Sequence, residues 1–158
     1  MKQIIFISIV LTAFLISCNK EKRFSKRLEK GETWIVKELT VNGEAQNILG
    51  EWLVAENTDI VKPTDIYEEV PQLTWQAQDT LDAVLEWQFQ DKGKTFVLNY
   101  FVTCDNCDGE DLDALDYFAF DISGKYDVEQ HKRKEMKFIS KALPNSTQEI
   151  EIKIERKE

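Results

Sequence analysis

Val84-Leu85-Glu86-Trp87-Gln88-Phe89-Gln90 runs into Asp91-Lys92-Gly93 and on to Thr95-Phe96-Val97-Leu98-Asn99-Tyr100-Phe101-Val102. Leu85, Trp87 and Phe89 share one parity, and Glu86, Gln88 and Gln90 the other. A period of two puts alternate side chains on opposite faces of a strand, here one in a core and one in water. Asp91-Lys92-Gly93 then reads as a turn, because its glycine tolerates the left-handed backbone that tight reversals need. Phe96, Leu98, Tyr100 and Val102 continue the inward parity on a second strand. Two such strands around a short turn make a hairpin.

The same signal recurs on both sides. Phe118, Phe120 and Ile122 read as another inward face, followed by Ser123-Gly124 and then by Tyr126 and Val128. A basic turn over His131–Lys134 leads to a strand with Met136 and Phe138, and Ile150, Ile152 and Ile154 alternate with charges in the last strand. Towards the N-terminus, Thr33–Val41 is a strand ended by Asn42-Gly43, a strong hairpin dipeptide. Its parity breaks between Trp34/Val36 and Leu39/Val41, which a β-bulge near Lys37 reconciles. Residues 44–80 carry no sustained period; one or two short strands and a helical turn around Ala45–Val54 are expected there. Short alternating strands with turns between them, and no long helical period, predict an all-β antiparallel meander closed as a barrel or stacked as a sandwich.

The first residues set the compartment. Lys2 precedes an apolar run from Ile4 to Ile16, with Ser17 just before Cys18. A charged start, an apolar core and a small residue at the cleavage point are the parts of a signal peptide. The run is shorter than the roughly 20 residues a membrane-spanning helix needs. Leu15-Ile16-Ser17-Cys18 is similar to a lipobox, which makes Cys18 the expected lipid attachment point of an exported bacterial lipoprotein. The expected division is signal peptide 1–17, lipidated Cys18 with a polar tether to residue 30, and one domain over 31–158. The formal charge is −9, which argues against nucleic acid as a partner, since that demands a basic face. Lys20, Lys22, Arg23, Lys26, Arg27 and Lys30 stand apart from this acidity, just after the anchor. Such a segment either lies against anionic headgroups or serves as a solvated tether.

A family resemblance joins these pieces. Cys18-Asn19-Lys20-Glu21-Lys22-Arg23, the stretch Leu28 to Gly43 around Trp34, the Trp87–Phe96 hairpin and Gly124-Lys125-Tyr126-Asp127-Val128 resemble the lipocalin-like lipoproteins of Bacteroidota, especially of flavobacteria. That family carries Gly-x-Trp on its first strand, whereas here two residues separate Gly31 from Trp34. The resemblance implies a lipocalin-like (calycin-type) β-barrel, anchored by lipid to the outer membrane on its periplasmic or exterior face. It implies no catalytic residues and no cofactor.

Cys104-Asp105-Asn106-Cys107 is the most specific local motif. In an exported chain such a pair is a structural disulfide, two free thiols, a redox centre or part of a metal site. Asp105, Asp108, Glu110 and Asp111 disfavour the thiolate that redox chemistry needs. Zinc would require two further soft ligands. A disulfide pinning a loop tip is the favoured reading. The acidic loop Cys104–Asp116 would suit Ca²⁺ by its carboxylates but lacks the ligand order of an EF-hand, so it reads as solvated and no metal is assigned. His131 reads as a surface turn residue with no nucleophile beside it, and an enzyme is not expected.

The aromatic residues carry the case for binding. Trp34, Trp87, Phe89, Phe96, Leu98, Tyr100, Phe118, Phe120 and Tyr126 are expected to point inward, where they either line a ligand cavity or fill the interior. The leading expectation is a non-enzymatic binding module for a small apolar ligand or an envelope protein partner; the alternative is an interaction protein with a filled core. A cavity bounded by the aromatics would mark the first. Partial exposure of Trp52 and Trp75 in one patch would mark loops that serve a partner.

Overall fold

The computed structural model describes residues 19–54, 71–77, 81–100, 113–140 and 148–158. The order is α1 (Asn19–Glu29), β1 (Thr33–Val41), β2 (Glu44–Ala45), β3 (Gly50–Val54), β4 (Gln72–Ala77), β5 (Leu81–Gln90), β6 (Thr95–Tyr100), α2 (Ala114–Asp121), β7 (Gly124–His131), β8 (Glu135–Ser140) and β9 (Ile150–Arg156). A single 3₁₀ turn, Asp91–Gly93, joins β5 to β6.

Every strand pairs antiparallel with its sequence neighbour from β3 to β9, and β1 closes the sheet by pairing with both β3 and β9. The result is an eight-strand lipocalin-like meander barrel, with two-residue β2 lying against the far half of β1. Closure removes both sheet edges. The barrel strands and the two described helices lie within residues 19–158.

The hairpin of residues 84–100 forms as its alternation predicts, with Trp87 opposite Leu98 and Phe89 opposite Phe96. Its turn runs through three consecutive left-handed residues, Asp91, Lys92 and Gly93. The bulge in β1 is also present: the register with β9 shifts between Val36 and Glu38, so Trp34, Val36 and Leu39 are all buried. On the outer face, Lys137 of β8 bridges Glu129 of β7 at 2.9 Å and Glu151 of β9 at 3.0 Å.

Three local expectations fail. Residues 19–29 form a helix rather than a polar tether. The reason is tertiary: Phe24 and Leu28 are one helical turn apart and both pack on the barrel. An isolated helix of this length is marginal in water, so burial of Leu28, worth about 1.5–3 kcal/mol, is what holds it. Residues 114–121 form α2, not a strand. The alternation of Phe118, Phe120 and Ile122 hid the pattern Leu115, Ala119, Ile122, whose members are buried at helical spacing. Asp113 caps this helix, accepting from the Leu115 and Asp116 amides at 2.7 and 3.0 Å, while Asp116 accepts from the Asp113 amide at 3.0 Å. Asp113 and Asp116 are thus a capping box and not part of a solvated loop. Residues 50–54 form a strand and not a helical turn, with Trp52 and Val54 inward.

The meander gives the barrel two ends. At the near end lie α1, the start of β1, the turns at 91–94 and 132–134 and the end of β9. At the far end lie the β1–β2 turn, the start of β5 and α2.

Candidate functional site

The interior is the natural place for a site in a barrel, and its occupants are its own aromatic residues. Phe96 and Phe138 stack with ring centroids 4.2 Å apart. Trp52 stands 6.4 Å from Phe96 and 6.3 Å from Trp75, and Trp87 is 6.5 Å from Phe96. Trp34, Trp52, Phe96, Leu98, Tyr126 and Phe138 are 0% exposed. Aromatic pairs with centroids about 4.5–7 Å apart are the usual contacts of a protein core.

The nine residues expected to face inward divide. Trp34, Trp87, Phe89, Phe96, Leu98 and Tyr126 are in the core. Tyr100 is at the far rim, where its hydroxyl donates to Asp116 at 2.8 Å and its amide donates to Ser123 Oγ at 2.7 Å. Burial and the Asp116 carboxylate both raise its pKa. Phe118 lies on α2 with its ring 6.0 Å from Trp75, at the far end of the barrel. Phe120 does not face inward: on α2 it is 52% exposed. Helical geometry turns it roughly 200° from Phe118, whereas a strand would have put both on one face.

Trp52 and Trp75 are the central rings that periodicity did not identify, and both are buried. The partial exposure that would have marked partner-serving loops at these two tryptophans is therefore not found. β3 and β4 pair with Trp52 opposite Trp75, so closure of the barrel carries both inward. The indole N–H groups of Trp52, Trp75 and Trp87 find no acceptor among the described residues. Each such donor costs about 1–3 kcal/mol. Trp34 differs: its Nε1 donates to the Leu28 carbonyl at 2.9 Å. Gly31 sits against that indole so closely that a Cβ there would collide with the ring.

The near end holds a second cluster that the sequence did not reveal. Phe24 of α1 lies flat on the His131 ring and edge-on to Phe89 at 5.7 Å. Arg27 donates from Nη1 to His131 Nδ1 at 3.0 Å and to the His131 carbonyl at 3.1 Å. Because a guanidinium cannot accept, Nδ1 is the acceptor and the proton sits on Nε2. Nε2 is buried without a partner among the described residues. Burial first, then the Arg27 charge, lowers the His131 pKa to about 4. His131 is therefore a half-buried neutral ring rather than a surface turn residue. The only legible signal was Phe24 and Leu28 at i, i+4 spacing.

Cys18, Cys104 and Cys107 lie outside the described residues, as does most of the acidic segment before Asp113. Among the described residues no group of three or more His, Cys, Asp or Glu is placed to hold a metal ion, and no helix is long and apolar enough to cross a membrane. Compared with known protein families, curated proteins and solved structures, the chain matches none.

Proposed function

We propose that this protein is a lipid-anchored, non-enzymatic domain of the cell envelope, of the lipocalin-like lipoprotein type found in Bacteroidota. Acylated Cys18 tethers it to the outer membrane, and it works by contacting an envelope partner through its exterior. The supporting observation for an exterior role is the interior: Phe96 lies on Phe138 at 4.2 Å, with Trp52 and Trp87 beside them, all buried among one another. Reading Cys104 and Cys107 as a disulfide fits an exported chain whose remaining cysteine carries lipid.

A second reading, a small apolar ligand inside the barrel, is favoured by one observation. The unpartnered N–H groups of Trp52, Trp75 and Trp87 are donors that a ligand oxygen would satisfy. It requires the aromatic cluster to open.

Native mass spectrometry of the protein extracted from its own membrane separates these readings. The expected result is a chain starting at Cys18, carrying the mass of its acyl groups and no small molecule. A retained ligand would replace the filled-core reading with the second one. An unacylated Cys18 would sink the anchor.

A further inference from the structure

Among the described residues, charge is segregated along the barrel axis. At the near end, segments 19–32, 91–94, 132–135 and 156–158 hold thirteen Lys and Arg against six Asp and Glu. At the far end, segments 42–49, 81–82, 113–125 and 148–149 hold six Asp and Glu against a single Lys, Lys125. Residues 55–70, between β3 and β4 in sequence, carry five acids and one lysine; they lie outside the described residues and form no part of this surface.

α1 sorts its charges by face. Lys20, Lys22, Arg23 and Lys26, with Lys30 just after the helix, are exposed, while Glu21 is half-exposed and accepts from the Lys92 amide. The helix is pinned at both of its ends: Glu21 reaches the 91–93 turn, and the Leu28 carbonyl takes the Trp34 indole. Between them Phe24 covers Gly93, where a Cβ would stand 2.7 Å from the Phe24 ring. α1 therefore lies along the near end and does not stand off from it as a flexible spacer.

We infer that the near end of the barrel is a membrane-contacting surface, in which α1 and the β7–β8 turn together face anionic lipid headgroups. This rests on the reading of Cys18 as the acylated residue. In sequence Cys18 directly precedes Asn19, the first residue of α1, so acylation there would tie the lipid to the docked helix. Arg27 then couples α1 to His131, which places Lys132, Arg133 and Lys134 beside the helix at the same end. All three are exposed. Juxtamembrane Lys and Arg gain about 1 kcal/mol each near an anionic leaflet. The acidic far end is repelled by that leaflet and points away, so lipid and charge set one orientation together.

The test uses residues 19–158 without acyl chains, which contain the whole closed barrel. Flotation with vesicles of phosphatidylcholine alone, or with about one third phosphatidylglycerol, measures binding. The expected result is binding to the anionic vesicles only, and its loss at high salt as screening shortens to about 3 Å at 1 M. Lys132→Gln/Arg133→Gln/Lys134→Gln should weaken it roughly ten- to hundredfold. Lys125→Gln, at the far end, should leave it unchanged. Equal binding to both vesicle types overturns the inference, as does a triple variant that binds like the parent while keeping its melting curve. Loss confined to Lys20→Gln/Lys22→Gln/Lys26→Gln would likewise reduce the surface to the helix alone and overturn it. Because no acyl chain takes part, the outcome is independent of the mass measurement that tests the anchor.

Discussion

The ring of Phe24 lies on the ring of His131 with centroids 3.6 Å apart and planes within 7° of parallel. These two residues, one in the segment after Cys18 and one at the end of β7, turn what reads as a linker into part of the barrel. Arg27 reinforces the pair by donating to the same imidazole. The contact joins helix and barrel mechanically, and it depends on a neutral histidine.

That dependence predicts an acid sensitivity. The folded-state pKa of His131 is lowered from 6.5 to about 4. The unfolded chain therefore takes up the proton first as pH falls. The contribution is complete above pH 6.5 and is lost progressively as pH drops towards 4. Its size is roughly 1–2 kcal/mol, well short of the full linkage energy because the ring is only half buried. Thermal melts of the parent and of His131→Phe, compared between pH 7 and pH 4, should converge as the pH falls. Parallel curves would show that His131 is not the titrating group.

Leu28 is the deepest contact of α1. Leu28→Ala removes a fully buried side chain and should cost about 2–5 kcal/mol. Trypsin should then cut within residues 20–30 faster than in the parent, because α1 loses its main hold. An unchanged digestion pattern would mean that the helix is held by its polar contacts alone.

The tryptophans should respond unequally to the same substitution. Trp52→Phe removes an N–H that has no acceptor among the described residues, which offsets part of the lost volume. A change below about 1.5 kcal/mol is expected. Trp34→Phe removes a made hydrogen bond to the Leu28 carbonyl, which keeps only the Gly31 amide. It should cost about 1–2 kcal/mol more. Urea denaturation of the two variants measures the difference, and equal costs would contradict this account.

Asp113→Ala strips α2 of its cap and should cost about 1 kcal/mol. Because Phe118 rests against Trp75, the near-ultraviolet circular dichroism should lose intensity as α2 frays. Preserved aromatic signal with lowered stability would place the cap's effect elsewhere.

Cys104 and Cys107 give a chemical prediction. In the protein purified without reductant neither should react with a maleimide, and both should react after reduction. Labelling of both without reductant would eliminate the disulfide.

How much of this was legible in the sequence follows from the range of the interactions. Alternation over 84–102 and 150–154, the Asn42-Gly43 turn and the broken parity of β1 are local, so strands, hairpins and even the bulge near Lys37 could be read directly. The Cys18 expectation is local too, resting on sixteen residues of charge and hydropathy. The two helices were not legible, for different reasons. α1 has only two apolar residues, and its stability comes from Gly93, Phe89 and His131, which are distant in sequence. α2 mixes both periods, and the Asp113–Asp116 cap with burial of Leu115 and Ala119 decides between them. The same limit applies to the interior. Parity says which side chains point inward, but whether they enclose a space depends on strand number, closure and the pairing of Trp52 with Trp75. Residue pattern by itself determined a β meander and its strand faces. Tertiary closure decided that its aromatics pack on one another, and that the basic segment after Cys18 is a rigid part of one barrel end.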